Sequence, residues 1–247
     1  MNRCGIFDSG IGGISVAKEI LKANLFDEII YFGDTARVPY GNKNESTIIG
    51  YSLEALEFLK NFDINFLIVA CNTASAVAIN ELKKEAFFPV IGVIEAGVEA
   101  IENEDRNSNI LLVGTKRTIK SNKYQHFLQK KGFKNIISIA TPLFVPLVEE
   151  GITEGEITDK IFEMYFKDID KEKIDIVILG CTHYPFLAKT FKKHFRNAKL
   201  IHSGQAIVKM IKTRFNLSSK NKTNIKLFSS DNPIEFKKVA KKCLFET

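Results

Sequence analysis

Apolar residues occur along the chain in short continuous runs separated by stretches of helical spacing, the pattern of strands buried on both faces alternating with helices. The runs at 66–70 and 174–179, the second broken by Asp175, are too short to cross a membrane. Both end alike: Ala70-Cys71-Asn72-Thr73 follows the first and Gly180-Cys181-Thr182-His183 the second. The likeness extends upstream, because the strand-like stretch ending at Asp8-Ser9 precedes Cys71 at nearly the spacing at which the stretch ending at Gly114-Thr115 precedes Cys181. Two such halves predict an α/β fold of two similar lobes, each a mostly parallel sheet flanked by helices, related by a pseudo-two-fold axis. The first lobe is expected from 1–96 plus 207–247 and the second from 97–206. Ligands of open parallel sheets bind outside the carboxyl ends of the strands, so facing the lobes together brings the two thiols to one cleft.

Between these landmarks the periodicity predicts a helix carrying Ile14, Ala17, Ile20 and Leu21, a strand over 28–33, and a helix from Asn44 whose Ile49, Leu53 and Leu56 face the sheet. A helix from 74 to about 86 and a strand over 89–94 follow, and the chain crosses to the second lobe within 95–108. There it predicts a strand at 110–114, a helix to Lys131, a strand at 136–140 and a segment over 142–151. A helix from near Thr153, one from Pro185 and a strand over 198–202 complete that lobe. A helix from Gly204, a polar loop over 218–224 and a strand over 225–228 lead to a last helix. Asn232 caps it, Pro233 opens it and Glu235 reaches back, while Phe236, Val239, Ala240, Cys243 and Leu244 form one stripe.

Composition narrows the classes. A chain of 247 residues, 45% hydrophobic, can fill the cores of two lobes. The net charge of +6 comes from lysines scattered over helix faces, so no nucleic-acid partner is expected. No apolar run suits a membrane span or a signal-peptide core, and a cytoplasmic protein without membrane partners is expected. The four cysteines, at 4, 71, 181 and 243, form no CxxC pair, so no metal site is expected; Cys4 and Cys243 read as core residues.

The turn Asp8-Ser9-Gly10-Ile11-Gly12-Gly13 resembles a phosphate cradle but lacks the third glycine of a dinucleotide fingerprint and the Gly-Lys-Ser/Thr of a P-loop. Its glycines permit a tight turn that brings backbone N–H groups, Asp8 and Ser9 to a small ligand. The loop 34–41 holds charge, a proline turn and the hydroxyl of Tyr40, as binding loops do and as ordinary surface turns do.

Cys71 and Cys181 each stand at a strand-to-helix turn, where Asn72 or Thr73 can cap the first helix and Pro185 can open the second. A helix N-terminus lowers a thiol pKa, and a free cysteine otherwise titrates at about 8.5. Asp8 is within reach of the first thiol, and His183 can hold or exchange the proton of the second. A hydrolase needs one nucleophile and leaves the duplicate unexplained, whereas two facing thiols suit removal of a proton from one side of a carbon and its return from the other. Ser9, Asn72, Thr73, Thr115, Thr118 and Thr182 supply neutral donors for a carboxylate. A non-enzymatic reading, a redox-regulated module closed by a Cys71–Cys181 disulfide around an anion, predicts ligand binding without solvent-proton exchange.

Taken together, Asp8-Ser9-Gly10-Ile11-Gly12-Gly13, Pro39-Tyr40-Gly41, Ala70-Cys71-Asn72-Thr73-Ala74-Ser75 and Gly180-Cys181-Thr182-His183-Tyr184-Pro185 resemble the glutamate racemases of the aspartate/glutamate racemase superfamily. The resemblance runs through most of the chain. It implies an isomerase that interconverts L- and D-glutamate without cofactor or metal and provides D-glutamate for peptidoglycan. It further implies that Cys71 and Cys181 are the two acid/bases and that Asp8 and His183 assist them. Ser9, Tyr40, Gly41, Asn72, Thr73, Thr115, Thr118, Glu150 and Thr182, with Asp8 and His183, would contact the substrate. Arg117 and His202 depart from the family's pattern. A racemase of aspartate or another amino acid is the alternative, and the sequence leaves a homodimer open.

Overall fold

The computed structural model describes residues 2–215, 217, 219 and 222–245; of the loop expected over 218–224, residues 218, 220 and 221 lie outside the described residues. The first lobe begins with β1 (Arg3–Asp8), α1 (Ile14–Ala23), β2 (Glu28–Gly33) and α2 (Glu45–Lys60). It continues through β3 (Phe66–Val69), α3 (Asn72–Val77), α4 (Ile79–Glu85), β4 (Val90–Gly92) and α5 (Val93–Glu99). The second runs through β5 (Ile110–Gly114), α6 (Lys116–Lys120), α7 (Lys123–Lys130), β6 (Ile136–Ala140), α8 (Phe144–Glu149), α9 (Glu156–Phe166), β7 (Ile176–Gly180), α10 (Ala188–His194) and β8 (Lys199–His202). The chain then passes through α11 (Ser203–Arg214), β9 (Asn224–Ser229) and α12 (Pro233–Phe245).

Among the described residues all strand pairings are parallel, in two sheets ordered β4-β3-β1-β2-β9 and β6-β5-β7-β8. Read from its other edge, the second sheet is β8-β7-β5-β6, which repeats β4-β3-β1-β2 strand for strand, with β9 added beside β2. In each repeat the strand order reverses beside the first strand, β1 or β5, and the cysteine-bearing strand, β3 or β7, is its neighbour. Parallel strands bury both faces, and alternate residues feed different clusters: Ile6 joins one and Phe7 the other, as Leu112 and Val113 do in β5. Under the second sheet Phe144, Phe162, Phe166 and Phe191 interleave edge-to-face and stacked, which anchors α8.

Several expected elements differ. Strand 89–94 stops at Gly92, and Val93, Ile94, Ala96 and Val98 are buried on α5 instead, packed against α11; Arg214 of α11 pairs with Glu95 and Glu99. The lobe boundaries expected at 96/97 and 206/207 therefore fall inside two helices that pack on each other. The helix expected from 74 to 86 is two, meeting at Ala78. The helix expected up to Lys131 is also two, because Asn122 adopts φ +55°, a left-handed conformation asparagine tolerates. Leu56 of α2 is buried as expected, and Ile49 and Leu53 pack on the same cluster but only partly buried, with Ile48, Ser52, Ala55 and Leu59 completing the fully buried face. In α12 Phe236, Ala240 and Leu244 are buried, but Val239 is exposed and Cys243 only partly buried, because that side of the helix lines an open groove between the lobes.

Candidate active site

The carboxyl ends of β1, β3, β5 and β7 meet around one narrow cleft, about 300 Å³ counted with its open mouth, lined by Ser9, the Val38–Gly41 loop, Cys71, Asn72, Thr73, Thr115, Val145, Cys181, Thr182 and His183. Among the described residues no lysine or arginine lines it. Both thiols are free and buried, 4% and 6% exposed.

Cys71 itself, rather than Asn72 or Thr73, is the N-cap of α3: its sulfur accepts the Ala74 N–H at 3.4 Å. The expected lowering of its pKa does not occur. Burial, joined by the negative charge of Asp8, pushes the thiol up to about 12, against the smaller opposing pull of Ser9 and the Ala74 N–H. Six residues of helix do not offset the loss of water around a sulfur this deep. The thiol donates to Ser9 Oγ at 3.4 Å. Asp8, expected to reach this thiol, is otherwise engaged: its Oδ2 accepts the N–H groups of Gly10 and Gly13, both at 3.0 Å, and its Oδ1 accepts the Thr182 hydroxyl at 3.2 Å. The glycine turn thus commits these N–H groups to Asp8 and leaves neither for a ligand. Burial raises the Asp8 pKa, and the His183 charge and these hydrogen bonds oppose it.

Cys181 is followed by a 3-10 turn (Tyr184–Leu187) in place of an α-helix, so a helix N-terminus does not act on it. Its neighbour is His183, with Nδ1 3.8 Å from the sulfur and Nε2 2.5 Å from Glu149 Oε1. Burial would hold this imidazole down, but Cys181 and Glu149 outweigh it and push it up to about 10, so the ring is cationic at neutral pH. Gly12 packs on the same ring; a Cβ there would lie 2.5 Å from Nδ1 and 2.6 Å from Thr182 Oγ1.

Thr73, Thr115 and Thr118 form a triangle of hydroxyls, at 3.0 Å between Thr115 and each of the others and 3.4 Å between Thr73 and Thr118. Thr118 joins the site through this triangle and does not line the cleft. Asn72 is fixed at both ends, its Oδ1 accepting the Tyr124 hydroxyl at 2.7 Å and its Nδ2 donating to Ser203 Oγ at 3.3 Å. Tyr40 lines the cleft, but its hydroxyl donates to buried Asp34 at 2.5 Å, and Arg37 pairs with the same carboxylate at 2.9 Å. Gly41 abuts the second lobe so closely that a Cβ would lie 2.6 Å from Thr115 Cβ.

Glu150, expected to contact the substrate, does not line the cleft. It is the exposed C-cap of α8, whereas its neighbour Glu149 reaches His183. Sequence reasoning also missed Asp34, Tyr124 and Ser203, which hold Tyr40 and Asn72 in place. Among the described residues no group of His, Cys, Asp or Glu has a metal-holding arrangement, and no helix is long and apolar enough to cross a membrane.

A family model described as Asp/Glu/hydantoin racemase matches residues 16–211. The glutamate racemase of a Nitratiruptor species is 53% identical over 242 residues, 96% of this chain and 94% of the relative. The crystal structure of glutamate racemase from Campylobacter jejuni superposes with a TM-score of 0.95 at 50% identity, covering 98% of each chain. That of the Francisella tularensis glutamate racemase in complex with D-glutamate gives 0.89 at 32% identity, over 98% of this chain and 93% of the other.

Proposed function

The chain belongs to the Asp/Glu/hydantoin racemase family, and from that premise we propose that it interconverts L- and D-glutamate by proton transfer at Cα between two thiols, unaided by a cofactor. One observation carries the reading. Cys71 and Cys181 follow equivalent strands of the repeated sheet and face into one enclosed cleft.

Each enantiomer gives its Cα proton to one sulfur, and the opposite face of the carbon takes a proton from the other. The two sulfurs do not start alike. A thiol pushed up to about 12 holds its proton at neutral pH, which makes Cys71 the resting acid. Cationic His183, braced by Glu149, lies 3.8 Å from Cys181 and stabilises negative charge on that sulfur whenever it acts as the base. In the reverse direction the thiolate forms on Cys71, supported by the Ala74 N–H and by the Ser9 hydroxyl turned to donate. Charge leaving Cα spreads into the α-carboxylate. Neutral donors from Ser9, Asn72, Thr73, Thr115 and Thr182, positioned by Thr118 and by the Tyr40-Gly41 wall, stabilise it there. Asp8 fixes Thr182 and the glycine turn, and Glu149 takes the part that the resemblance implied for Glu150. D-glutamate made in this way supplies peptidoglycan synthesis in the cytoplasm.

Circular dichroism of the purified protein with L-glutamate and no additives tests this. Signal should decay to a racemic end point from either enantiomer, with one deuterium per product in heavy water. Faster racemisation of aspartate would move the assignment to that substrate. Binding of glutamate with no loss of signal and no deuterium uptake would leave the redox module.

A further inference from the structure

We propose that the pocket between the Gly41-Asn42 turn and α6 is a separate oxyanion site, for a phosphate-type group or another multivalent oxyanion, that ties the two lobes together beside the substrate cleft. The pocket, about 560 Å³ with its open mouth, is lined by Gly41 and Asn42 from the first lobe and Lys116, Arg117 and Lys120 from the second. Lys43 follows directly in the turn.

What sets these charges apart is their convergence: three line one pocket and a fourth, Lys43, stands beside it. Some lysines elsewhere have carboxylate partners, among them Lys84 with Glu81, Lys160 with Glu156, Lys189 with Glu154 and Lys199 with Glu104. Among the described residues no carboxylate lies within salt-bridge distance of Lys43, Lys116, Arg117 or Lys120, and Glu45, at the start of α2, pairs with none of them. Lys116 and Lys120 are moreover four apart on a five-residue helix, a like-charge pairing that opposes the helix it sits on. An anion relieves that repulsion. Arg117 is already oriented: half-buried, it donates Nε to the Lys43 carbonyl at 3.1 Å, across the lobes, and among the described residues its Nη groups meet no acceptor. A guanidinium fixed at Nε with its outer edge free presents a planar fork suited to oxyanions.

The position gives the site a consequence. Gly41 lines both this pocket and the substrate cleft, and Lys116 follows Thr115, against which Gly41 packs. An anion held by α6 on one side and the turn on the other draws together the two walls that close on the substrate. Anion and substrate then each tighten the other's binding, as linkage requires. The site stands on its own; only this coupling rests on the racemase reading.

Isothermal titration of the full chain with inorganic pyrophosphate, at ionic strength held constant with sodium chloride, tests the site without turnover. One saturable site per chain is expected, weakened at least tenfold in Lys116→Ala/Lys120→Ala. Pyrophosphate should raise the melting temperature of the wild type and leave that of the variant unmoved. The variant's own melting temperature, equal to or above wild type without the anion, shows that it folds. Binding that is absent, equal in the variant, or reproduced by chloride at equal ionic strength reduces the cluster to screened surface charge and overturns the proposal. If calorimetry succeeds but the KM for L-glutamate is unaltered by pyrophosphate, the coupling is wrong. Absence of racemisation by the wild type would instead count against the proposed reaction and leave the calorimetric result standing.

Discussion

Cys71 and Cys181 occupy equivalent strand ends but differ in what surrounds the sulfur. Cys71 has a hydroxyl, one backbone N–H and a buried carboxylate nearby, while Cys181 has a cationic imidazole. The proposed reaction uses both, so Cys71→Ser and Cys181→Ser should each lower turnover in both directions by roughly 10²–10⁴-fold, measured by circular dichroism. Both variants should still fold, since each thiol sits at a turn by the cleft. A one-thiol variant racemising near the wild-type rate would remove the two-base mechanism. The imidazole supplies a second expectation. Its folded pKa, about 10, lies above the ordinary 6.5, so the stabilisation from charged His183 is complete below about 6.5 and lost as pH rises through about 10. Glu149→Gln removes one of the groups that raise it. The alkaline fall of melting temperature should then begin at lower pH by a unit or more, together with the alkaline limb of kcat/KM. A stability profile that does not move would show that Glu149 leaves the histidine's charge unaffected.

At the scale of elements, the turns around the cleft act as spacers whose fit is set by missing side chains and buried charges. Gly12→Ala places a methyl against His183 and Thr182, so either the turn or the imidazole must shift. The protein should melt near the wild-type temperature while kcat falls roughly 10²-fold, since small misplacement of reacting groups costs about that much. Unchanged kcat would mean that His183 is free to move. Asp34→Asn keeps shape but loses the charge that holds Tyr40 and Arg37. It should cost roughly 1–3 kcal/mol of stability and raise KM more than kcat falls, because in the proposed reaction the loop meets the substrate and not the transferred proton. These turns also mark how far the sequence could be read. Buried strands ending in Cys71 and Cys181 announce themselves, since a two-sided strand must be a continuous apolar run and its end is where ligands bind. Helix phase was harder: in α2 Ile49 and Leu53 only flank the fully buried face that Leu56 shares, and α5 hides because its apolar residues continue the run of β4. The choice between Glu149 and Glu150 was decidable in principle. Val145 lines the cleft, and on a helix the residue four further on, Glu149, shares its face. Asp34, Tyr124 and Ser203 gave no local signal, because what makes them matter is a partner distant in the chain or a buried loop geometry.

At the scale of the molecule, the cleft is closed by a seam of contacts between the lobes. Ser15 Oγ donates to the Thr182 carbonyl at 3.1 Å, Thr182 Oγ1 to Asp8 at 3.2 Å and the Tyr124 hydroxyl to Asn72 at 2.7 Å, while the Thr73 and Thr115 hydroxyls hydrogen-bond at 3.0 Å. Each such bond contributes about 1 kcal/mol, so a handful hold the lobes shut by a margin that thermal motion can overcome. The proposed reaction requires opening, because cysteines 4% and 6% exposed cannot be reached by a molecule the size of glutamate. Both thiols should therefore react with iodoacetamide at a common rate set by opening, slowed by glutamate and followed residue by residue by peptide mass spectrometry. Ser15→Ala deletes one bond of the seam without touching the cleft lining. It should speed alkylation of Cys71 and Cys181 in parallel, by roughly fivefold for a bond of about 1 kcal/mol. Cys4, wholly buried under the first sheet, should stay unreactive on that time scale, which separates lobe opening from unfolding. Acceleration at one thiol alone would locate the motion in a single loop, and parallel labelling of Cys4 would mean that the first lobe unfolds. Equal acceleration of the two active-site thiols, with Cys4 silent, identifies rigid movement of one lobe against the other as the step that admits substrate.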